Sequence, residues 1–196
     1  MQYDFRGKYT ESNPITRTLV NGFFRGVQEL MAAADFDSAL EVGCGEGFST
    51  QRLLTMLPPT TRFEASDVES RLVDAARRTN PATTIRRESI YELAHEDDAF
   101  DLVFCLEVLE HLDAPEKALR ELCRVSRKWL ILTVPREPIW RALNLARLKY
   151  IRGLGNTPGH LQHWSRGQFL RFVAEHGEPS AWRAPLPWTQ VLVRVS

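Results

Sequence analysis

The stretch densest in reactive groups is Glu107-Val108-Leu109-Glu110-His111. Two carboxylates and an imidazole stand at positions i, i+3 and i+4, the spacing that brings side chains onto one face of a helical turn. The trio would converge at the end of the apolar run that precedes it, residues 100–106. Two carboxylates and one imidazole suit a hard or borderline octahedral cation such as Mg²⁺ or Mn²⁺, and His160 is the candidate for a further ligand. A metal-free alternative uses the same residues. His111 or His160 would act as a general base, because a free imidazole titrates near neutral pH. His163 is read as structural.

A second constellation lies upstream, Glu41-Val42-Gly43-Cys44-Gly45-Glu46-Gly47-Phe48. It reads as a short buried strand, a turn and a helix start. Glycine suits positions of positive φ or of close approach between backbone and ligand. Gly43, Gly45 and Gly47 leave the turn nearly bare of side chains. A dinucleotide fingerprint, G-x-G-x-x-G, would place its third glycine where Phe48 stands, so the loop is a poor match to a nicotinamide site. Asp67 follows a short strand over 62–66. In an open α/β sheet an acid about 20 residues past the glycine loop can accept hydrogen bonds from ribose hydroxyls. Capping the helix that begins near Ser70 is the alternative.

The elements that must position these groups alternate along the chain. Strands are predicted at 39–42, 62–66, 83–87, 100–106, 129–134, 179–184 and 189–195, and helices at 49–57, 69–79 and 113–126. The order strand–helix–strand implies parallel β-α units with right-handed crossovers. Asn13-Pro14 opens a leading helix whose apolar face carries Leu19, Phe23, Val27 and Leu30. Asp113…Glu116 and Ser165…Gln168 read as capping boxes. A helix from Pro138 to about Ile151 is followed by a glycine-rich connection over 153–159, a plausible hinge. Between Arg136 and Arg152 the local charge is +4.

The chain has 196 residues, 43% hydrophobic and 26% charged, which fits one domain with its own core. Lys+Arg and Asp+Glu balance at 25 each. That balance argues against a global pull toward nucleic acid or an anionic membrane. Cys44, Cys105 and Cys123 are odd in number and form no C-x-x-C pair, so neither a disulfide framework nor a thiolate zinc site is expected. A reducing, cytoplasmic setting is the default. No apolar run reaches the ~18 residues of a membrane-spanning helix.

The Glu41–Gly47 loop, Asp67, Glu88-Ser89 and the segment from Phe100 to Leu112 together resemble the class I S-adenosylmethionine (SAM)-dependent methyltransferases, from about Ser38 to the C-terminus. The resemblance implies an α/β, Rossmann-like, seven-stranded, mostly parallel sheet with helices on both faces and the last strand antiparallel. It implies one domain over 1–196, with an N-terminal cap helix in 1–34 and a substrate lid over 136–164. N-terminal segments in this class often fold over the cofactor, which would give Tyr3 and Tyr9 a role there. A basic lid would suit an acidic or phosphate-bearing substrate. Glu41, Gly43, Gly45 and Gly47 would surround the methionine part of SAM, Asp67 the ribose, and Glu88 and Ser89 the adenine, with Leu106 contacting the cofactor. The string Glu107…Glu110-His111, followed by His160…Trp164, is similar to the magnesium site of small-RNA 3′-terminal 2′-O-methyltransferases and in part to ubiquinone-pathway O-methyltransferases. The expected reaction is methyl transfer to a small-molecule hydroxyl. RNA 2′-O-methylation and SAM binding without catalysis are the alternatives; the absence of an aromatic-basic platform speaks against RNA. The acceptor and the oligomeric state are not legible.

Overall fold

A computed structural model describes residues 14–146, 150 and 153–195. Tyr3, Tyr9, Asn13, Arg147, Lys149, Ile151 and Arg152 lie outside the described residues. In chain order the elements are α1 (Pro14–Met31), β1 (Ser38–Val42), α2 (Phe48–Leu54), β2 (Arg62–Asp67), α3 (Ser70–Thr79), β3 (Thr84–Arg87), β4 (Phe100–Leu106), a 3₁₀ turn (Leu109–His111), α4 (Pro115–Val125), β5 (Ser126–Pro135), α5 (Ile139–Ala146), α6 (Arg166–Ala174), β6 (Glu178–Arg183) and β7 (Trp188–Arg194).

The strands form one sheet in the order β3-β2-β1-β4-β5-β7-β6. β1 pairs in parallel with β2 and β4, β2 with β3, and β4 with β5. β7 runs antiparallel to both β5 and β6, between which it sits. This is the expected architecture, down to the reversed last strand. The strand order turns back on itself at β1 and β4, and their carboxyl ends open the crevice where such sheets bind ligands.

The sequence of β4 shows why it lies in the middle. Every residue of Phe100-Asp101-Leu102-Val103-Phe104-Cys105-Leu106 is buried, as a strand covered on both faces requires. Val103 and Cys105 face a core built from α4 and α6. Leu102, Phe104 and Leu106 face a second core under α1 and α2. Truncating a side chain such as Phe104 would cost about 3–5 kcal/mol. α1 meets β7 closely because Gly26 has no side chain. A Cβ there would strike the Gln190 amide, which instead donates to the Phe23 carbonyl at 2.9 Å.

Two predicted caps fare differently. Ser165 and Gln168 form the reciprocal capping box of α6. The Asp113…Glu116 box does not form: α4 begins from Ala114 with Pro115 in its first turn and no side-chain cap. Asp113 is taken instead by the Tyr91 hydroxyl, which donates to its Oδ1 and holds its carboxyl below the usual range. Asp67, expected just beyond β2, is its last residue. The helix expected over 138–151 is α5, described from Ile139 to Ala146.

Candidate active site

Gly43, Gly45 and Gly47 all have positive φ, at 83°, 55° and 83°. Their surroundings separate them. A Cβ on Gly43 would strike Val108, and one on Gly47 would strike the Asn80 amide and press on Ala76. Gly45 has nothing within 4 Å of the position a Cβ would take. Two glycines thus serve the packing of the protein, and the third offers bare backbone to open space. The loop is tied to the end of β2, since the amides of Gly43 and Cys44 both donate to the Ser66 carbonyl, at 2.8 and 2.9 Å. Asp67 completes the tie. Its Oδ2 accepts from the Gly45 amide at 2.9 Å and its Oδ1 from the Glu69 amide at 3.0 Å. Burial raises the Asp67 carboxyl above the usual range, opposed by those two amides.

Glu41 is 1% exposed on β1, one strand over from Ala65. The Thr50 hydroxyl donates to its Oε2, while Oε1 is buried without a hydrogen-bond partner. Burial pushes this carboxyl up to about 7, against the Ser49 and Thr50 hydroxyls that favour its charged form; the charge of Asp67 adds to the rise. A carboxylate held beneath a bare glycine turn is a ready partner for a cationic amino group. The same burial and the same two acids push the Cys44 thiol far up, so it stays protonated and inert.

Glu88 follows β3, its amide donating to the Asp67 carbonyl at 3.0 Å. Its side chain is 6% exposed and faces His95, Oε2 to Nε2 at 3.5 Å. Ser89 accepts from the Tyr91 amide at 3.2 Å. Leu106 closes β4 in the same apolar cluster as Phe23 and Trp188.

Beyond Leu106 the chain does not form the regular helical turn that the spacing suggests. Glu107 takes a left-handed φ of 60°, a strain of about 1–3 kcal/mol that surrounding bonds must hold. Its amide and its Oε1 both meet the Thr133 hydroxyl at 3.0 Å, and its Oε2 accepts from the Trp188 indole at 2.7 Å. The 3₁₀ turn starts only after it. Glu107 is therefore carried away from the pair it was expected to join. The donor atoms that lie within 4.8 Å of one another belong to Glu110, His111 and His160.

Backbone bonds bring that trio together across 49 residues of sequence. The Glu110 carbonyl accepts from the amides of Leu161 and Gln162 at 2.8 and 3.0 Å, and Gln162 Nε2 donates to the Leu112 carbonyl. His111 Nδ1 lies 3.0 Å from the Gly159 carbonyl. A carbonyl only accepts, so Nδ1 carries the proton, and in the neutral form of the ring the lone pair lies on Nε2. That nitrogen lies 3.8 Å from Glu110 Oε1. His160 is 6% exposed and crosses His111 edge-on at 4.9 Å between ring centroids. Its other side stacks on Trp140, which in turn meets Trp188. His163 sits apart, 3.7 Å from Glu137 Oε1.

The spacing of charged residues gave no hint of Thr50, Thr133, Trp140 or Trp188. Each is an ordinary core or strand residue in sequence and gains its role from a partner brought by the sheet. The one available signal is the pairing of β5 with β7, which sets Thr133 opposite Gln190 and Pro135 opposite Trp188.

Residues 40–131 match the family described as a methyltransferase domain. Among curated proteins, a ubiquinone biosynthesis O-methyltransferase of Xanthomonas oryzae pv. oryzae is 31% identical over 123 residues, covering 59% of this chain and 50% of that protein. The match covers 32% of a Streptomyces fradiae transposon protein of 37.1 kDa, so the chain spans between a third and a half of these relatives. A SAM-dependent methyltransferase from Aquifex aeolicus has the same fold, with a TM-score of 0.72 at 15% identity and full coverage of both chains. So does the magnesium protoporphyrin IX methyltransferase of Synechocystis PCC 6803, solved with bound SAH, with a TM-score of 0.67 at 17% identity over 97% of this chain and 91% of that one.

Proposed function

We propose that this chain, a class I SAM-dependent methyltransferase by its domain match and its fold, methylates a hydroxyl on a small-molecule acceptor. SAM, when bound, supplies an electrophilic methyl group on a sulfonium. The glycine loop fits such a ligand on two counts: the open face of Gly45, and the buried Glu41 Oε1 with no partner of its own. Glu41 would take the amino group and the Gly43–Gly47 turn the rest of the methionine part. Asp67 would take the ribose hydroxyls, Glu88 and Ser89 the adenine side, and Leu106 the wall beside the reacting centre. Holding donor and acceptor in line contributes ~7–11 kcal/mol to such a transfer.

The observation that carries the hydroxyl reading is the fixed tautomer of His111. With Nδ1–H held by the Gly159 carbonyl, Nε2 can accept the acceptor's proton as its oxygen attacks the methyl carbon. Glu110 stabilises the imidazolium that results. The segment over 136–164 would act as the acceptor's lid, since it delivers Gly159 and His160 to this point. One geometric fact favours a second reading in which a divalent cation binds the acceptor oxygen: Glu110, His111 and His160 present a compact donor set. Glu107 would then stand outside the ligands, its oxygens committed to Thr133 and Trp188.

The test is SAH release from SAM over a panel of phenols, catechols, sugar alcohols and amines. Turnover with a hydroxyl acceptor should fall by roughly 10²–10⁴ in His111→Ala, with SAH affinity unchanged. Loss of turnover with a chelator and recovery with Mn²⁺ would select the cation reading. Turnover only with amines, indifferent to His111, would sink both.

A further inference from the structure

Residues 94–98, Ala-His-Glu-Asp-Asp, read as a solvated stretch, and Ala94, Glu96, Asp97 and Asp98 are exposed. The side chain of His95 is 10% exposed. Three elements hold it there. Arg124 of α4 donates to the His95 carbonyl at 2.8 Å and to the Leu93 carbonyl at 3.0 Å, and Glu121 accepts from the Leu93 amide at 2.7 Å. The ring stands edge-on to the buried Phe100 of β4, with 4.9 Å between centroids. Its Nε2 faces Glu88 Oε2, just past the end of β3, at 3.5 Å. Both of these atoms are shut off from solvent, and neither has a hydrogen-bond partner among the described residues. Packing alone does not call for an imidazole. A leucine would fill the slot against Phe100 without burying a polar nitrogen, which costs desolvation wherever it is unpaired. What the imidazole adds is a donor aimed at one oxygen of a carboxylate.

Glu88 stands where that matters. In the sheet order the glycine loop follows β1, Asp67 ends β2 and Glu88 follows β3, so the three lie in line along the carboxyl edge. A ligand running outward from the glycine loop past Asp67 ends at Glu88. We propose that His95 is a positioning residue for the cofactor's base: its Nε2–H holds Glu88 Oε2 and so presents Oε1 to the exocyclic amino group of adenine. A slight turn of the carboxylate brings the 3.5 Å gap within hydrogen-bond range. A carboxylate only accepts hydrogen bonds, so the pair selects a purine that donates at this position and rejects one that carries a carbonyl there. The proposal rests on the reading of Glu88 as the adenine-side acid and adds what fixes its choice of base.

Calorimetric titration of the whole chain with SAH and with S-inosylhomocysteine, in which a carbonyl replaces the exocyclic amine, tests it. Wild type should favour SAH by roughly 10–100-fold, the worth of a hydrogen bond to a charged group. His95→Leu should lose most of that preference by binding SAH less tightly and the inosine ligand no less tightly. His95→Gln, whose amide can donate from the same place, should keep it. In a Glu88→Gln background, where the side chain both donates and accepts, His95→Leu should change the preference no further. A His95 that only fills space would weaken both ligands alike when replaced. That result, an unchanged preference in His95→Leu, or a lost one in His95→Gln overturns the proposal and leaves the cofactor reading in place. So does a wild type that binds the two ligands equally. A wild type that binds neither overturns both. One measurement needs no variant: the ¹⁵N signals of the His95 ring in the SAH complex should show Nε2 protonated, and a bare Nε2 overturns the proposal even if His95→Leu does not fold.

Discussion

The glycine loop offers a perturbation whose two halves must come apart. Gly45→Ala and Gly47→Ala add the same methyl group to residues of positive φ two positions apart. At Gly45 the backbone strain is about 1 kcal/mol, and the restricted unfolded chain gives back ~0.4–1 kcal/mol. The methyl meets no atom within 4 Å, so the net loss of stability is about 0–1 kcal/mol. At Gly47 the same strain applies and the Asn80 side chain must also leave. Asn80 is buried, and its Nδ2 donates to the Gly47 carbonyl at 3.0 Å and to the Ala76 carbonyl at 3.1 Å. Two such bonds lost, with crowding against Ala76, bring the cost to about 4 kcal/mol. For a domain of this size each kcal/mol lowers Tm by roughly 2–4 °C, so Gly47→Ala should melt about 8–16 °C low and Gly45→Ala at most about 4 °C low. Binding should rank in the opposite sense. SAH titrated calorimetrically at a temperature where both variants are folded should lose most of its affinity for Gly45→Ala, whose new methyl fills the space a ligand would occupy. Undiminished SAH affinity in Gly45→Ala would refute the cradle. A Gly47→Ala midpoint no lower than that of Gly45→Ala would refute the packing argument.

Two further outcomes follow from charge and capping. The Glu41 carboxyl, raised from 4.5 to about 7, binds its proton more tightly folded than unfolded, so its contribution is full below about 4.5 and is lost as pH rises through about 7. The loss is about 3 kcal/mol at ~1.36 kcal/mol per unit, and Glu41→Gln should remove it. Chemical denaturation from pH 5 to pH 8 should therefore show wild type losing stability relative to Glu41→Gln. The reverse trend would mean that Glu41 ionises normally. Over the same range SAH affinity should rise with pH in wild type, as the anion forms, and stay flat in Glu41→Gln. Ser165→Ala removes one half of the capping box of α6 and should cost about 1 kcal/mol, read as a Tm lower by roughly 2–4 °C with SAH binding untouched.

Alternating apolar runs and breakers were enough to place the seven strands in sequence, because each strand must bury both faces or one. The glycine turn was legible for a related reason: positive φ at Gly43, Gly45 and Gly47 restricts which residue can stand there. Asp113 was misread because a capping pattern records only local hydrogen bonds, and Tyr91, 22 residues earlier, competes for the same carboxylate. The grouping of Glu107 with Glu110 and His111 assumed a regular helical turn. Thr133 and Trp188 hold Glu107 in a left-handed conformation instead; Thr133 comes from β5, which pairs with β4, and Trp188 from β7, one strand further on, and neither pairing is written in local sequence. The approach of His160 to His111 was legible as a suggestion only, since it depends on bonds from Leu161 and Gln162 to the Glu110 carbonyl.

The position of β7 bears on how the chain is made. It follows β6 along the chain, yet it is stitched between β5 and β6 and its Gln190 clasps α1. Until residues 188–194 have emerged, β5 presents an unpaired apolar margin and α1 lacks its clasp. A nascent chain stalled before that point would offer this margin to other strands, so chaperone demand should fall once β7 slots in.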